Sequence, residues 1–140
     1  MEKVFALEMD GLNVLIVDDN SPDGTGALAE ELREKYDQRI HVMHRKGKLG
    51  LGTAYIQGFQ WALENGSDFI GQMDADFSHP IDKIPLLAEA LKSYDVAIGS
   101  RYVKGGKLDE EWPLFRKLLS GFGNLYARTI LGLTIHDATG

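Results

Sequence analysis

Asn13-Val14-Leu15-Ile16-Val17-Asp18-Asp19 is a β-rich apolar run that ends in two acids. Behind it, Ala27, Leu28, Leu32 and Tyr36 recur at helical spacing, so the pair reads as a strand followed by a helix over 27–36. The same alternation continues outward. Residues 40–44 read as a strand, a glycine-punctuated loop leads into a helix over 53–63, and residues 69–73 read as the next strand. A helix over 84–91 and a strand over 94–99 follow, giving β-α-β-α-β-α-β. Such an order implies right-handed crossovers and an α/β fold, a mostly parallel sheet covered by helices on both faces.

In sheets of this kind ligands lie outside the carboxyl ends of the strands. Here those ends present Asp18-Asp19, His44-Arg45-Lys46, Asp74-Ala75-Asp76 and Ser100-Arg101. Asp74 and Asp76, at period-two spacing before Phe77-Ser78-His79-Pro80, can converge on one hard cation that also holds a diphosphate. Asp-x-Asp is also a common turn pattern, in which Asp caps backbone N–H groups. Asp23 or Thr25 as a helix N-cap, with Pro22 and Gly24 turning the chain, accounts for half of the loop at 18–25. It leaves the adjacent pair Asp18-Asp19 unexplained, and paired acids at a strand end suit ribose hydroxyls or a divalent cation.

The stretch 44–52 combines His44, Arg45, Lys46 and Lys48 with Gly47, Gly50 and Gly52 ahead of a helix N-terminus, where backbone N–H groups can meet an anion. It matches neither a P-loop nor Gly-x-Gly-x-x-Gly, and a solvated loop explains it as well. Arg101 would give a bidentate contact to phosphate or a salt bridge to Asp74 or Asp76. His41, His79 and His136 show no metal-ligand spacing, and none is assigned to a metal.

The 140 residues fit one domain, and the absence of cysteine excludes disulfides and thiolate metal sites. No apolar run approaches the roughly 18 residues that span a bilayer. A formal charge of −6 argues against nonspecific nucleic-acid binding, yet it hides a division along the chain. Residues 1–100 carry nine Lys/Arg against seventeen Asp/Glu, whereas residues 101–140 carry six against four. Residues 113–131 read as an amphipathic helix, and this basic, greasy end suits an anionic, apolar partner.

Taken together, Val17-Asp18-Asp19-Asn20-Ser21-Pro22-Asp23-Gly24-Thr25, Gly47-Lys48-Leu49-Gly50-Leu51-Gly52, Met73-Asp74-Ala75-Asp76, Gly99-Ser100-Arg101-Tyr102 and Asp137-Ala138-Thr139-Gly140 resemble the polyprenol-phosphate (dolichol-phosphate) mannosyltransferases, family 2 glycosyltransferases with the GT-A fold. The resemblance covers residues 13–140. It implies transfer of mannose from GDP-mannose to a polyprenyl phosphate with inversion at the anomeric carbon, using Mg²⁺ or Mn²⁺. Carried over, it expects metal ligation by Asp74 and Asp76, and a nucleotide-sugar site of Asp18, Asp19, Lys48, Asp74 and Asp76. It expects acceptor phosphate at Arg101, Arg116 and Ser120, and catalytic roles for Asp76, Arg101 and Arg116. The family position two after the second acid is often Gln and is Ser78 here, which removes an amide from the expected metal shell. A phosphate monoester, with a second pKa near ~6, is already largely a dianion at neutral pH, so no general base is expected.

The family begins with an additional strand carrying a Pro-Thr-Tyr-Asn-Glu-like motif, and residues 1–140 are expected to be a partial GT-A catalytic domain of a longer transferase, lacking that strand. A missing strand would leave a sheet edge open to homo-oligomerisation or strand borrowing, and the isolated chain is expected to be weakly active or inactive. The resemblance places the protein in the cytoplasm, peripheral to the cytoplasmic face of a membrane. A donor such as UDP-glucose is the nearest alternative. A noncatalytic nucleotide-sugar module is another, and a receiver-type phosphoacceptor domain is the alternative of a different class. The last begins with a similar acid pair but needs a Lys-Pro pair after a fifth strand, which is absent.

Overall fold

The computed structural model describes residues 1–76, 78–100, 103 and 114–132, apart from the side chains at 114, 116–120, 124 and 131. A short helix, α1 (Glu2–Phe5), precedes the run β1 (Val14–Asp18), α2 (Thr25–Tyr36), β2 (Ile40–His44) and α3 (Leu51–Glu64). Each of these last four starts and stops within two residues of the position read from the sequence. The strands pair in parallel, with Val14 opposite Ile40 and Asp18 opposite His44.

Alternate residues of a strand point to opposite faces, and register partners share a face. A Cβ placed on Gly58 of α3 would lie 3.8 Å from both Leu15 and Val17, and the rings of His41 and Trp61 sit 4.7 Å apart. Leu15, Val17 and His41 therefore form the face that α3 covers. Asp18 and His44 point the other way, toward Gly26 of α2. One helix on each face is the arrangement the alternation implies. Ile40, 1 % exposed, is the most deeply buried large side chain among the described residues, and Ala29 of α2 and Ala62 of α3 are buried with it.

The start of α2 departs slightly from expectation. Its N-cap position falls on Gly24, whose φ of 88° is a left-handed conformation that suits glycine. Asp23 performs the capping from one residue further back, accepting from the Thr25 backbone N–H at 3.1 Å and from its hydroxyl at 2.6 Å.

Two expected strands do not form. Residues 69–73 and 94–99 have no ladder partner, and among the described residues the sheet has two strands. Phe69 is 54 % exposed and Val96 72 %. The apolar pattern of both segments is a strand pattern, but a strand is a pairwise element that exists only where a neighbouring edge accepts its N–H and C=O groups. Residues 74–76 and 100 consequently do not sit at strand ends.

The expected helices at 84–91 and 113–131 are present as α4 (Ile84–Ala90) and, over the described residues, α5 (Leu114–Leu131). The chain divides into two compact units, Met1–Pro85 and Leu86–Gly140. On α5, Phe115, Phe122, Leu125, Tyr126 and Ile130 are all exposed. Among the described residues no helix is long and apolar enough to cross a membrane.

Candidate functional site

Parallel pairing brings the carboxyl ends of β1 and β2 side by side, so the residues that follow them face each other. The Arg45 backbone N–H donates to the Asp18 carbonyl at 2.8 Å, extending the ladder by one step. The Arg45 guanidinium then donates through Nη1 to Asp19 Oδ1 at 2.7 Å and through Nη2 to the Thr53 hydroxyl in the first turn of α3. The Thr53 hydroxyl in turn contacts the carbonyls of Leu49 and Gly50, at 3.1 and 2.7 Å, and so ties down the end of the glycine loop. Arg45 is buried, with its side chain 3 % exposed, while that of Asp19 is 24 % exposed. This ion pair was not anticipated from sequence, yet the signal existed: a parallel register that sets Asp18 against His44 sets Asp19 beside Arg45.

Asp18 belongs to a second cluster on the α2 face. Its buried carboxylate accepts from the Ser21 N–H at 3.3 Å, and His44 Nδ1 lies 3.6 Å away. His44 Nε2 meets Glu30 of α2 at 2.7 Å. Hydrogen bonds from Ser21 hold the Asp18 carboxyl below its usual range, with His44 assisting and burial opposing. The His44 imidazole is raised, chiefly by its hydrogen bond to Glu30 and further by Asp18. The absent side chain of Gly26 makes this possible, because a Cβ there would lie 2.8 Å from Asp18 Oδ2. Asp18 and Asp19 are thus adjacent in sequence but face different elements. Lys48 is exposed and near enough to Asp23 to help lower that carboxyl's pKa, after the hydrogen bonds from Thr25.

Asp74 and Asp76 lie on an exposed turn rather than a strand end. With His79 they form a group whose ligand atoms all fall within 4.8 Å of one another. The turn is held locally: the Ser78 N–H donates to Asp76 Oδ1 at 2.9 Å, and the Ser78 hydroxyl is 3.1 Å from His79 Nδ1. Hydrogen bonds from Ser78 lower the Asp76 pKa. Asp74 also faces the phenol of Tyr55 on α3, whose pKa is raised first by burial and then by that carboxylate. His79 was given no role by spacing. Folding brings its ring to the two acids through the Ser78-His79-Pro80 turn. Two carboxylate oxygens and an imidazole nitrogen suit Mn²⁺, and the two carboxylates suit Mg²⁺.

Arg101 lies outside the described residues, as do Lys104, Trp112 and the motif at 137–140. Arg116 and Ser120 stand on α5, in its first and second turns, but their side chains fall outside the description.

The described residues thus form a parallel strand–helix–strand–helix unit with a charged rim at its carboxyl ends and an exposed carboxylate turn further along. The chain belongs to glycosyl transferase family 2, whose model matches residues 1–140. Over 127 residues it is 51 % identical to the undecaprenyl-phosphate mannosyltransferase of Micrococcus luteus, covering 91 % of this chain and 51 % of that protein. It is 50 % identical over 129 residues to the polyprenol monophosphomannose synthase of Mycolicibacterium smegmatis, covering 91 % and 48 %. The dolichol-phosphate mannosyltransferase of Pyrococcus furiosus is 49 % identical over 115 residues, 80 % of this chain and 31 % of that protein. The chain spans about half the length of the first two of these relatives. No solved structure gives a significant match. Membership of this family leaves the receiver reading without support.

Proposed function

We propose that this chain carries the donor-binding part of an inverting, metal-dependent mannosyltransferase that moves mannose from GDP-mannose to a polyprenyl phosphate. The observation that carries the reading is the rim where β1 and β2 end, in which Asp19, Arg45 and Thr53 lock together beside the glycine loop. The three relatives, polyprenyl-phosphate mannosyltransferases by name, supply the sugar and the lipid class.

In this reading Asp19 and the loop carrying Lys48 receive the nucleoside and its anionic tail, with Asp18 fixing the rim beneath them. Asp74 and Asp76 would hold a divalent cation, Mg²⁺ or Mn²⁺, which would supply positive charge to the donor diphosphate. The residues' own work is placement. The lipid phosphate oxygen attacks the anomeric carbon as the bond to the diphosphate oxygen breaks, so GDP departs and polyprenyl phosphomannose is formed. No side chain removes a proton, because the attacking phosphate is already ionised. Arg101 and Arg116, with Ser120, orient that phosphate and offset the repulsion between two anions. The acceptor's chemistry also motivates a cytoplasmic protein working at a membrane surface, where polyprenyl phosphate resides.

The test is to incubate the full-length protein with polyprenyl phosphate and either radiolabelled GDP-mannose or radiolabelled UDP-glucose, and to follow label into the lipid phase. Lipid label from GDP-mannose, lost on chelation of divalent cations, supports the reading. Label from UDP-glucose alone would replace the donor, and no lipid label from either would overturn the assignment.

A further inference from the structure

We propose that Arg45 is a positioning residue for the nucleotide, holding one oxygen of Asp19 so that the other presents a single, fixed acceptor to the nucleoside of the donor. This rests on the reading of Asp19 as part of a nucleotide site. Three observations carry it. Arg45 takes Asp19 Oδ1 at 2.7 Å, and Oδ2 meets no partner among the described residues. The same guanidinium reaches Thr53, whose hydroxyl holds the carbonyls of Leu49 and Gly50, so the orientation of Asp19 and the end of the glycine loop are set by one planar group. Arg45 Nε is buried with no hydrogen-bond partner.

The third point separates positioning from mere stabilisation. Burying a guanidinium is costly, a buried donor left unpaired adds to that cost, and an apolar residue of similar size would often hold the fold as well. What an apolar residue cannot do is fix a neighbouring carboxylate in direction. A lysine cannot do it in this geometry either, because one ammonium lacks the rigid fork that spans Asp19 and Thr53 together. A carboxylate with one oxygen committed and one open suits a lone N–H or O–H donor, such as a nucleobase imino group or a ribose hydroxyl, rather than a phosphate, which it would repel.

The experiment measures binding of GDP with Mn²⁺ by calorimetry to the full-length protein and to its Asp19→Asn, Arg45→Lys, Thr53→Val and Asp19→Asn/Arg45→Lys variants, with folding checked by circular dichroism. Asp19→Asn and Arg45→Lys should each weaken GDP by about tenfold or more, the size expected when a charge-assisted hydrogen bond is misplaced. The double variant should be no more than about threefold worse than either alone, because both changes remove the same fixed acceptor. Thr53→Val, which removes only the second arm of the fork, should weaken GDP by a smaller factor and keeps the test in force if Arg45→Lys does not fold.

If Asp19→Asn weakens GDP while Arg45→Lys and Thr53→Val leave affinity unchanged, the positioning role is overturned and the nucleotide reading survives. Multiplying losses in the double variant would also overturn it, since that is the behaviour of two independent sites. If Asp19→Asn has no effect, or the unaltered full-length protein binds no GDP, both readings fail together.

Discussion

The rim of the sheet and the turn at 74–79 each gather acids and a histidine, but they handle charge in opposite ways. At the rim, residues far apart in sequence are brought together by strand pairing, and Asp18 and Arg45 are both buried. At the turn, the partners lie within six residues of one another, Asp74 and Asp76 are exposed, and the contacts that shape it come mainly from Ser78. A buried charge must have its partners supplied by the fold. An exposed one is solvated already and can give up water for an ion at little structural cost. The rim is therefore built to hold a shape, while the turn keeps its carboxylates open to solvent.

Gly26→Ala should break this contrast hardest, because a methyl group 2.8 Å from Asp18 Oδ2 must displace a carboxylate pinned by Ser21 and His44. A loss of about 1–3 kcal/mol in denaturant unfolding is expected from such overpacking. An unchanged midpoint would show that the Asp18 cluster is looser than its distances imply.

A pH series sharpens the same contrast. His44 has a pKa raised above its ordinary 6.5, so the stability it lends is complete below that value and fades as pH climbs through the raised pKa. Asp18 has a pKa lowered from 3.8, so its contribution is present above that value and is lost as pH falls through the lowered pKa. Both groups contribute together between those ordinary values, and His44→Gln should flatten the decline on the alkaline side while only slightly reducing the acid limb, which Ser21 chiefly sets. Thermal melts across pH 3 to 9 (~1 unit apart) would decide this. An alkaline limb that persists in His44→Gln would assign it to another group.

At the turn the smallest structural effect is expected. Asp76→Asn should shift stability by no more than about 0.5 kcal/mol, as exposed substitutions do, while abolishing the binding of Mn²⁺ read by calorimetry. Retained Mn²⁺ affinity would detach this turn from the metal.

Much of the first half of the fold was legible because its signals are local. The run 13–18, the spacing of Ala27, Leu28, Leu32 and Tyr36, and the β-rich stretch at 40–44 each describe a single element whose period announces its type. The segments at 69–73 and 94–99 carry an equally clear pattern and still do not become strands, because pairing depends on an edge that no local pattern reports. The candidate site divides along the same line. Acids at 18–19 and 74–76 could be singled out by residue type, and their grouping with Lys48 into one site was an extrapolation from family likeness. That Asp18 would turn inward to His44 while Asp19 turned to Arg45 follows from register and from the missing Cβ of Gly26. His79 was passed over because ligand spacing rules describe helices and zinc knuckles better than a single turn held by a serine hydroxyl.

The Asp19–Arg45–Thr53 lock also bears on the order in which the molecule is made. Its two contacts join positions 26 and 8 residues apart, and all three partners come from the amino-terminal part of the chain. During synthesis at about 5–20 residues per second, the residues the lock needs are all made about 3–12 seconds before α5 is begun. The Asp19–Arg45–Thr53 lock can thus close while the basic, apolar helix is still unmade.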